Sequence, residues 1–142
     1  MTDDLVYSDD YLREILSRTR TIAQVGATQK SNRPAYVVMK YLQGRGYRVV
    51  PVNPAFSGQE ILRERVYADL KSIPEPIDLV QVFRRSEFAG AVTDEAIAKG
   101  AKVLWMQLGV RDDAAAERAK AAGLEVVMNR CPKIELDRLV GE

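Results

Sequence analysis

Short apolar runs of strand length alternate along this chain with longer segments whose apolar residues recur at helical spacing, and that alternation restricts the fold more than any other feature. The strand-like runs are TIAQV (Thr21 to Val25), YRVVPV (Tyr47 to Val52), IDLVQVF (Ile77 to Phe83), KVLWMQL (Lys102 to Leu108) and LEVVM (Leu124 to Met128). They are apolar at consecutive positions, as strands buried on both faces are. Pro51 donates no ladder hydrogen bond, so it is expected at the end of its strand.

The helical segments carry start and stop signals. A leading helix is expected over about residues 8–19, with Tyr11, Leu12, Ile15 and Leu16 on one face and Ser8, Asp9 and Asp10 supplying the N-cap and first turn. Arg33 and Pro34 open the next helix, Ala35, Val38, Met39 and Leu42 form its buried stripe, and Gly44 and Gly46 close it. SEFAGAVTDEAIAKG runs to Gly100, DDAAAERAKAAG runs to Gly123, and a last short helix starts near Pro132. Between residues 55 and 76 the pattern weakens: QEILRE reads as one or two helical turns, and Pro74 and Pro76 mark a loop.

Strands that alternate with helices imply a parallel sheet whose right-handed crossovers cover both faces. The expected fold is therefore α/β, a Rossmann-like doubly wound five-stranded parallel sheet with helices on both faces and strand order 3-2-1-4-5. At 142 residues the chain is expected to form one domain over 1–142, burying about 70% of its unfolded surface.

Composition removes whole classes of function. The 21 basic and 20 acidic side chains leave a net charge of +1, which gives no field for nucleic acid or acidic membranes. The acidic start MTDDLVYSDD has neither the basic flank nor the apolar stretch of a secretion signal, and no apolar run reaches membrane-spanning length, so a cytoplasmic protein is expected. Histidine is absent, which excludes histidine-based triads, histidine-ligated metals and phosphohistidine. The lone Cys131 excludes an internal disulfide or a multi-thiolate zinc site.

In a doubly wound sheet ligands lie beyond the carboxyl ends of the strands at the switch point, expected here between the first and fourth strands. The loops at that end are GATQKSNR, NPA, FRR and QLGVR. GATQKSNR joins a glycine turn to a helix N-terminus and adds Thr28, Lys30, Ser31, Asn32 and Arg33; it reads either as an anion site or as a plain strand-to-helix turn. It has Gly26 alone where a dinucleotide fingerprint has three glycines, and the second strand ends in Val52-Asn53 instead of an acid that would hold the ribose of NAD. A P-loop is missing as well.

VGAT with Arg33, GYRVVPVNP, YADL, DLVQVFR, GAKVLWMQLGV and GLEVVMNRC, in that order, resemble the small CoA-binding domain proteins, over roughly Leu12 to Val140. These are similar to the CoA-binding domain of the succinyl-CoA synthetase α subunit and of ADP-forming acyl-CoA synthetases. The resemblance implies that Gly26, Ala27 and Thr28 face the CoA phosphates with Arg33 close by, and Lys30 of the same loop is expected to bind the cofactor with them. It implies that Val52, Asn53 and Pro54 lie along the nucleotide, Phe83, Arg84 and Arg85 beside the phosphates or adenine, and Met106 and Gln107 near the pantetheine arm. For Phe83 and Met106 a core role stays open, and for Arg84 and Arg85 a role as solvated charges at a strand end.

The phosphates of CoA suit arginine and helix amides better than an acidic clamp, consistent with the missing acid after the second strand. The larger synthetases need a phosphorylated histidine and further domains, so ligation by this chain alone is not expected. The expected role is a non-catalytic module that binds CoA or acyl-CoA, as a carrier or as the partner of another protein. The alternatives are a non-catalytic subunit of an acyl-CoA synthetase and, more remotely, an NAD(P)-binding oxidoreductase. Cys131 reads as a small buried residue or as a redox thiol able to form a mixed disulfide with CoA. Trp105 reads as core, with adenine stacking as the alternative, and Asp112-Asp113 as an N-cap and first turn.

Overall fold

A computed structural model describes residues 4–140. The expected span of 1–142 reaches at both ends into residues outside the described ones. Helix α1, Asp9–Arg18, is capped by Ser8, whose side chain accepts the Tyr11 amide, and it buries Leu12, Ile15 and Leu16. There follow β1 (Thr21–Val25), α2 (Pro34–Gly44) with proline in its first turn, β2 (Arg48–Val52) and a 3-10 turn at Pro54–Phe56. The second half contains β3 (Glu60–Ile61), β4 (Glu64–Arg65), β5 (Leu79–Val82), α3 (Ser86–Lys99), β6 (Val103–Met106), α4 (Asp113–Ala121), β7 (Glu125–Val127) and α5 (Pro132–Val140). Gly100 ends α3 in the left-handed conformation, and Asp112 caps α4 by accepting the Ala115 amide.

The five long strands form one parallel sheet in the order β2-β1-β5-β6-β7. Counted as five, that is 2-1-3-4-5, which corrects the expected 3-2-1-4-5 while leaving the doubly wound α/β class intact. The outer side of β2 is already occupied. Tyr67 bridges Val52 there, donating its amide to the Pro51 carbonyl at 3.0 Å and accepting the Asn53 amide at 2.9 Å. The next long strand crosses to the free side of β1 and pairs Leu79 with Ile22 through to Val82 with Val25. All four β5 residues are buried, which a central position requires. The switch point thus lies between β1 and β5, not between the first and fourth strands.

QEILRE is not helical: β3 and β4 make an antiparallel hairpin that pairs Glu60 with Arg65 and Ile61 with Glu64. Its loop residues Leu62 and Arg63 have φ of 48° and 72°, the geometry of a two-residue hairpin turn that Asn-Gly normally signals. Gln43 donates to the Leu62 carbonyl and holds the turn against α2. Pro51 lies inside β2, one residue before its end, and its missing N–H faces the outer edge on which its carbonyl meets Tyr67.

Two apolar layers flank the sheet. Val25, Val52, Val82 and Met106 pack with Ala89, Val92 and Ala119 beneath α3 and α4. Ile22, Leu79 and Trp105 pack with Leu12, Met39 and Leu136 beneath α1, α2 and α5. The outer edge of β7 is closed by side chains: the Tyr11 hydroxyl donates to the Val126 carbonyl and accepts its amide, and the Tyr7 hydroxyl accepts the Met128 amide.

Candidate functional site

Beyond the carboxyl ends of β1, β2 and β5 the backbone turns sharply at Gly26, where φ is 101°. A Cβ there would sit 2.1 Å from the Phe83 carbonyl oxygen, so only glycine lets the loops after β1 and β5 pass each other. The Gly26 and Ala27 amides both donate to the Val52 carbonyl, and Ala27 is fully buried. Their amides are therefore spent on closing the sheet. Thr28 is half-buried, with its hydroxyl accepting the Lys30 amide, and Lys30 and Arg33 are exposed. Helix α2 begins without a side-chain cap and without an acid in its first turn, which leaves its positive end open to an anion.

Asn53 ties the loops together, donating from Nδ2 to the Ala27 carbonyl and accepting the Ala55 amide at Oδ1, each at 2.9 Å. Next to it is a cleft of about 170 Å³ between the sheet end and α3. Val25, Val52 and Pro54 line one side, and Phe88, Ala91 and Val92 line the other. Arg84 borders it with its guanidinium 4.5 Å above the Phe88 ring, a cation–π contact. Arg85 is exposed, stacks on the same ring at 5.4 Å and pairs with Glu87. Ala68, Asp69 and Glu95 complete the lining.

The structure thus gathers Val52, Pro54 and Arg84 around one cleft, with Gly26 beneath the Arg84 side chain. It does not bring the remaining expected residues into that cleft. Phe83 is half-buried in the layer under α2, and Met106 is buried in the layer under α3. Gln107 ends a buried row of amides: Gln24 Nε2 donates to the Ala35 carbonyl and to Gln81 Oε1, and Gln81 Nε2 donates to Gln107 Oε1. The row links the first turn of α2 to the loop after β6. Val25, Asp69, Phe88, Ala91, Val92 and Glu95 were not singled out from the sequence. Asp69 lies within the YADL stretch, and Phe88 follows two arginines at a helix start; these are the only local signals they carry.

Cys131 is 6% exposed and packs in the α5 layer, as does fully buried Trp105, whose Nε1 donates to the Arg130 carbonyl at 2.9 Å. With the thiol packed in this way, native protein treated with CoA disulfide is expected to keep its intact mass and to gain one CoA only after denaturation. Gain of a CoA by the native protein, absent in Cys131→Ser, would restore the redox role. Among the described residues no group of acids, cysteines or histidines is arranged to hold a metal ion. No described helix is long and apolar enough to cross a membrane.

The family of CoA binding domains matches residues 20–137, and the chain belongs to it. Over 123 residues it is 38% identical to the YneT protein of Bacillus subtilis, covering 87% of this chain and 90% of that one. A solved structure of a hypothetical protein from Pyrococcus horikoshii superposes with a TM-score of 0.91 at 40% identity, over 99% of this chain and 100% of the other. The alpha subunit of an ADP-forming acetate–CoA ligase of Pyrococcus furiosus is 31% identical over 97 residues, which is 64% of this chain but 21% of the ligase subunit.

Proposed function

We propose that the chain binds coenzyme A, free or as an acyl thioester, across the carboxyl ends of β1, β2 and β5, and that it acts as a binding module and not as a complete enzyme. The observation that carries this reading is the pairing of an uncapped α2 N-terminus, flanked by Thr28, Lys30 and Arg33, with an apolar cleft bordered by Arg84. The first suits the diphosphate and the second a nucleoside. Phe88, Val52 and Pro54 offer faces for a flat ring, and the exposed Arg85 adds charge at the mouth. Asn53 holds the two loops in register, and Gln107 supports α2 through the amide row. With no histidine in the chain, a phosphohistidine relay has no residue to use. A role as the CoA-binding part of a larger acyl-CoA ligase is the second reading, favoured by the identity to the ligase alpha subunit.

Titration calorimetry tests the proposal. CoA should bind, and NAD should bind much more weakly, because the Asn53 side chain is committed at both ends to backbone partners and offers no acid to a ribose. Arg84→Ala should weaken CoA by about 1.5 to 3 kcal/mol, the value of a charge-assisted hydrogen bond, or roughly ten- to a hundredfold. Equal affinity for NAD and CoA, or an unchanged affinity in Arg84→Ala, overturns it.

A further inference from the structure

The cleft beside α3 carries opposite charge at its two ends. Arg84 and Phe88 lie at the start of α3, whereas Glu95 lies seven residues beyond Phe88, about 10 Å along the helix axis. Asp69 stands with Glu95: both also line the neighbouring cleft that extends past them toward Lys71 and Lys99. Between the ends the walls are apolar, from Val25, Val52 and Pro54 on one side to Phe88, Ala91 and Val92 on the other. Among the described residues Arg84 has no carboxylate partner, and its guanidinium is committed to the Phe88 ring alone.

We propose that Asp69 and Glu95 select the base of the bound nucleotide, accepting the exocyclic amine of adenine at the end of the cleft farthest from the phosphates. The inference rests on the CoA reading and deepens it. An ionised carboxylate only accepts hydrogen bonds, so it favours a ring edge that donates and opposes one that presents a carbonyl. Asp69 is already oriented for this: Oδ1 takes the Ser72 amide at 2.9 Å and the Ser72 hydroxyl at 2.6 Å, leaving Oδ2 for a ligand. The Ser72 hydroxyl, followed by the Ser72 amide, holds the Asp69 carboxyl below its ordinary range, so it is ionised at neutral pH. Within the cleft the one lining cation, Arg84, attracts phosphate to its own end, while Lys71 and Lys99 stand beyond the carboxylates in the neighbouring cleft. The charge pattern therefore fixes one direction for the nucleotide, with the base toward Glu95 and the phosphates toward α2. Adenine carries an amine where hypoxanthine carries a carbonyl, so exchanging the two sets acceptor against acceptor at this end.

The test compares binding of CoA and of its deaminated analogue, with hypoxanthine in place of adenine, by calorimetry on the full chain. The wild type should prefer CoA by about fivefold, since at these solvent-accessible carboxylates the exchange of donor for acceptor loses the net value of one hydrogen bond and not the full cost of a buried unpaired group. Asp69→Asn and Glu95→Gln keep shape but can donate to the carbonyl, so the double variant should lose or reverse that preference. Glu95 is exposed, so Glu95→Gln alone probes the idea without disturbing the Ser72 contacts. If the wild type binds CoA but takes the analogue within twofold, or if the double variant keeps the full preference, base selection by these carboxylates is wrong. If neither ligand binds the wild type, the CoA reading itself fails, a result distinct from loss of selectivity.

Discussion

Gly26→Ala is expected to destabilise the protein by about 3 to 5 kcal/mol, combining left-handed backbone strain with an overpacked contact. The φ of 101° is costly for any residue with a Cβ, and that atom would meet the Phe83 carbonyl at 2.1 Å, where backbone and not a pliant side chain must move. Phe83 cannot yield freely, because its amide donates to the Val25 carbonyl at 2.8 Å within the β1–β5 ladder. Native domains are stable by about 5 to 15 kcal/mol, so the variant should lose much of its margin. Urea unfolding measures the difference, and a loss below about 1 kcal/mol would show that the two loops separate more easily than their geometry indicates.

Trp105→Ala should cost about 3 to 5 kcal/mol, the range for truncating a buried large aromatic. The side chain is fully buried in the layer under α1, α2 and α5, and its indole anchors the Arg130 carbonyl just before α5. Trp105→Phe keeps most of the packing and removes the donor, so its cost should fall near the ~1 to 3 kcal/mol of an unsatisfied carbonyl. The same denaturation experiment separates the two. Equal losses in both variants would mean that the hydrogen bond, and not the packing, holds this part of the sheet.

The class of fold was legible because runs such as TIAQV and the stripe Ala35, Val38, Met39, Leu42 show their burial directly in their spacing. Caps at Ser8 and Asp112 and stops at Gly100 and Gly123 were readable for the same local reason. Sheet order was not, because the side of β2 that IDLVQVF was expected to take is covered by Tyr67 through one isolated bridge. A lone bridge leaves no periodic trace. The hairpin was hidden because Leu62 and Arg63 adopt positive φ without the Asn or Gly that would announce it.

At the site, loops could be placed but side-chain directions could not. Val52, Pro54 and Arg84 reach the cleft, whereas Met106, in register with Val52 across the sheet and on the same face, is fully buried within that layer. Ala27 sits in the loop expected to face the phosphates, yet its amide is consumed by Val52. Asp69 and Glu95 are far apart in sequence and meet only because the segment after the hairpin folds back against α3. No spacing rule connects them.

The two tyrosines on the outer side of β7 bear on how this molecule behaves in a crowded solution. A bare edge strand offers alternating donors and acceptors on which another chain can continue the sheet. Here the Val126 amide and carbonyl and the Met128 amide are already engaged by phenol groups from the leading segment, and the opposite edge at Pro51 lacks a donor. A hydroxyl can complete a ladder but cannot propagate one. At β7 the sheet is thereby terminated by side chains instead of a strand, so strand addition at that edge first requires the segment carrying Tyr7 and Tyr11 to peel away.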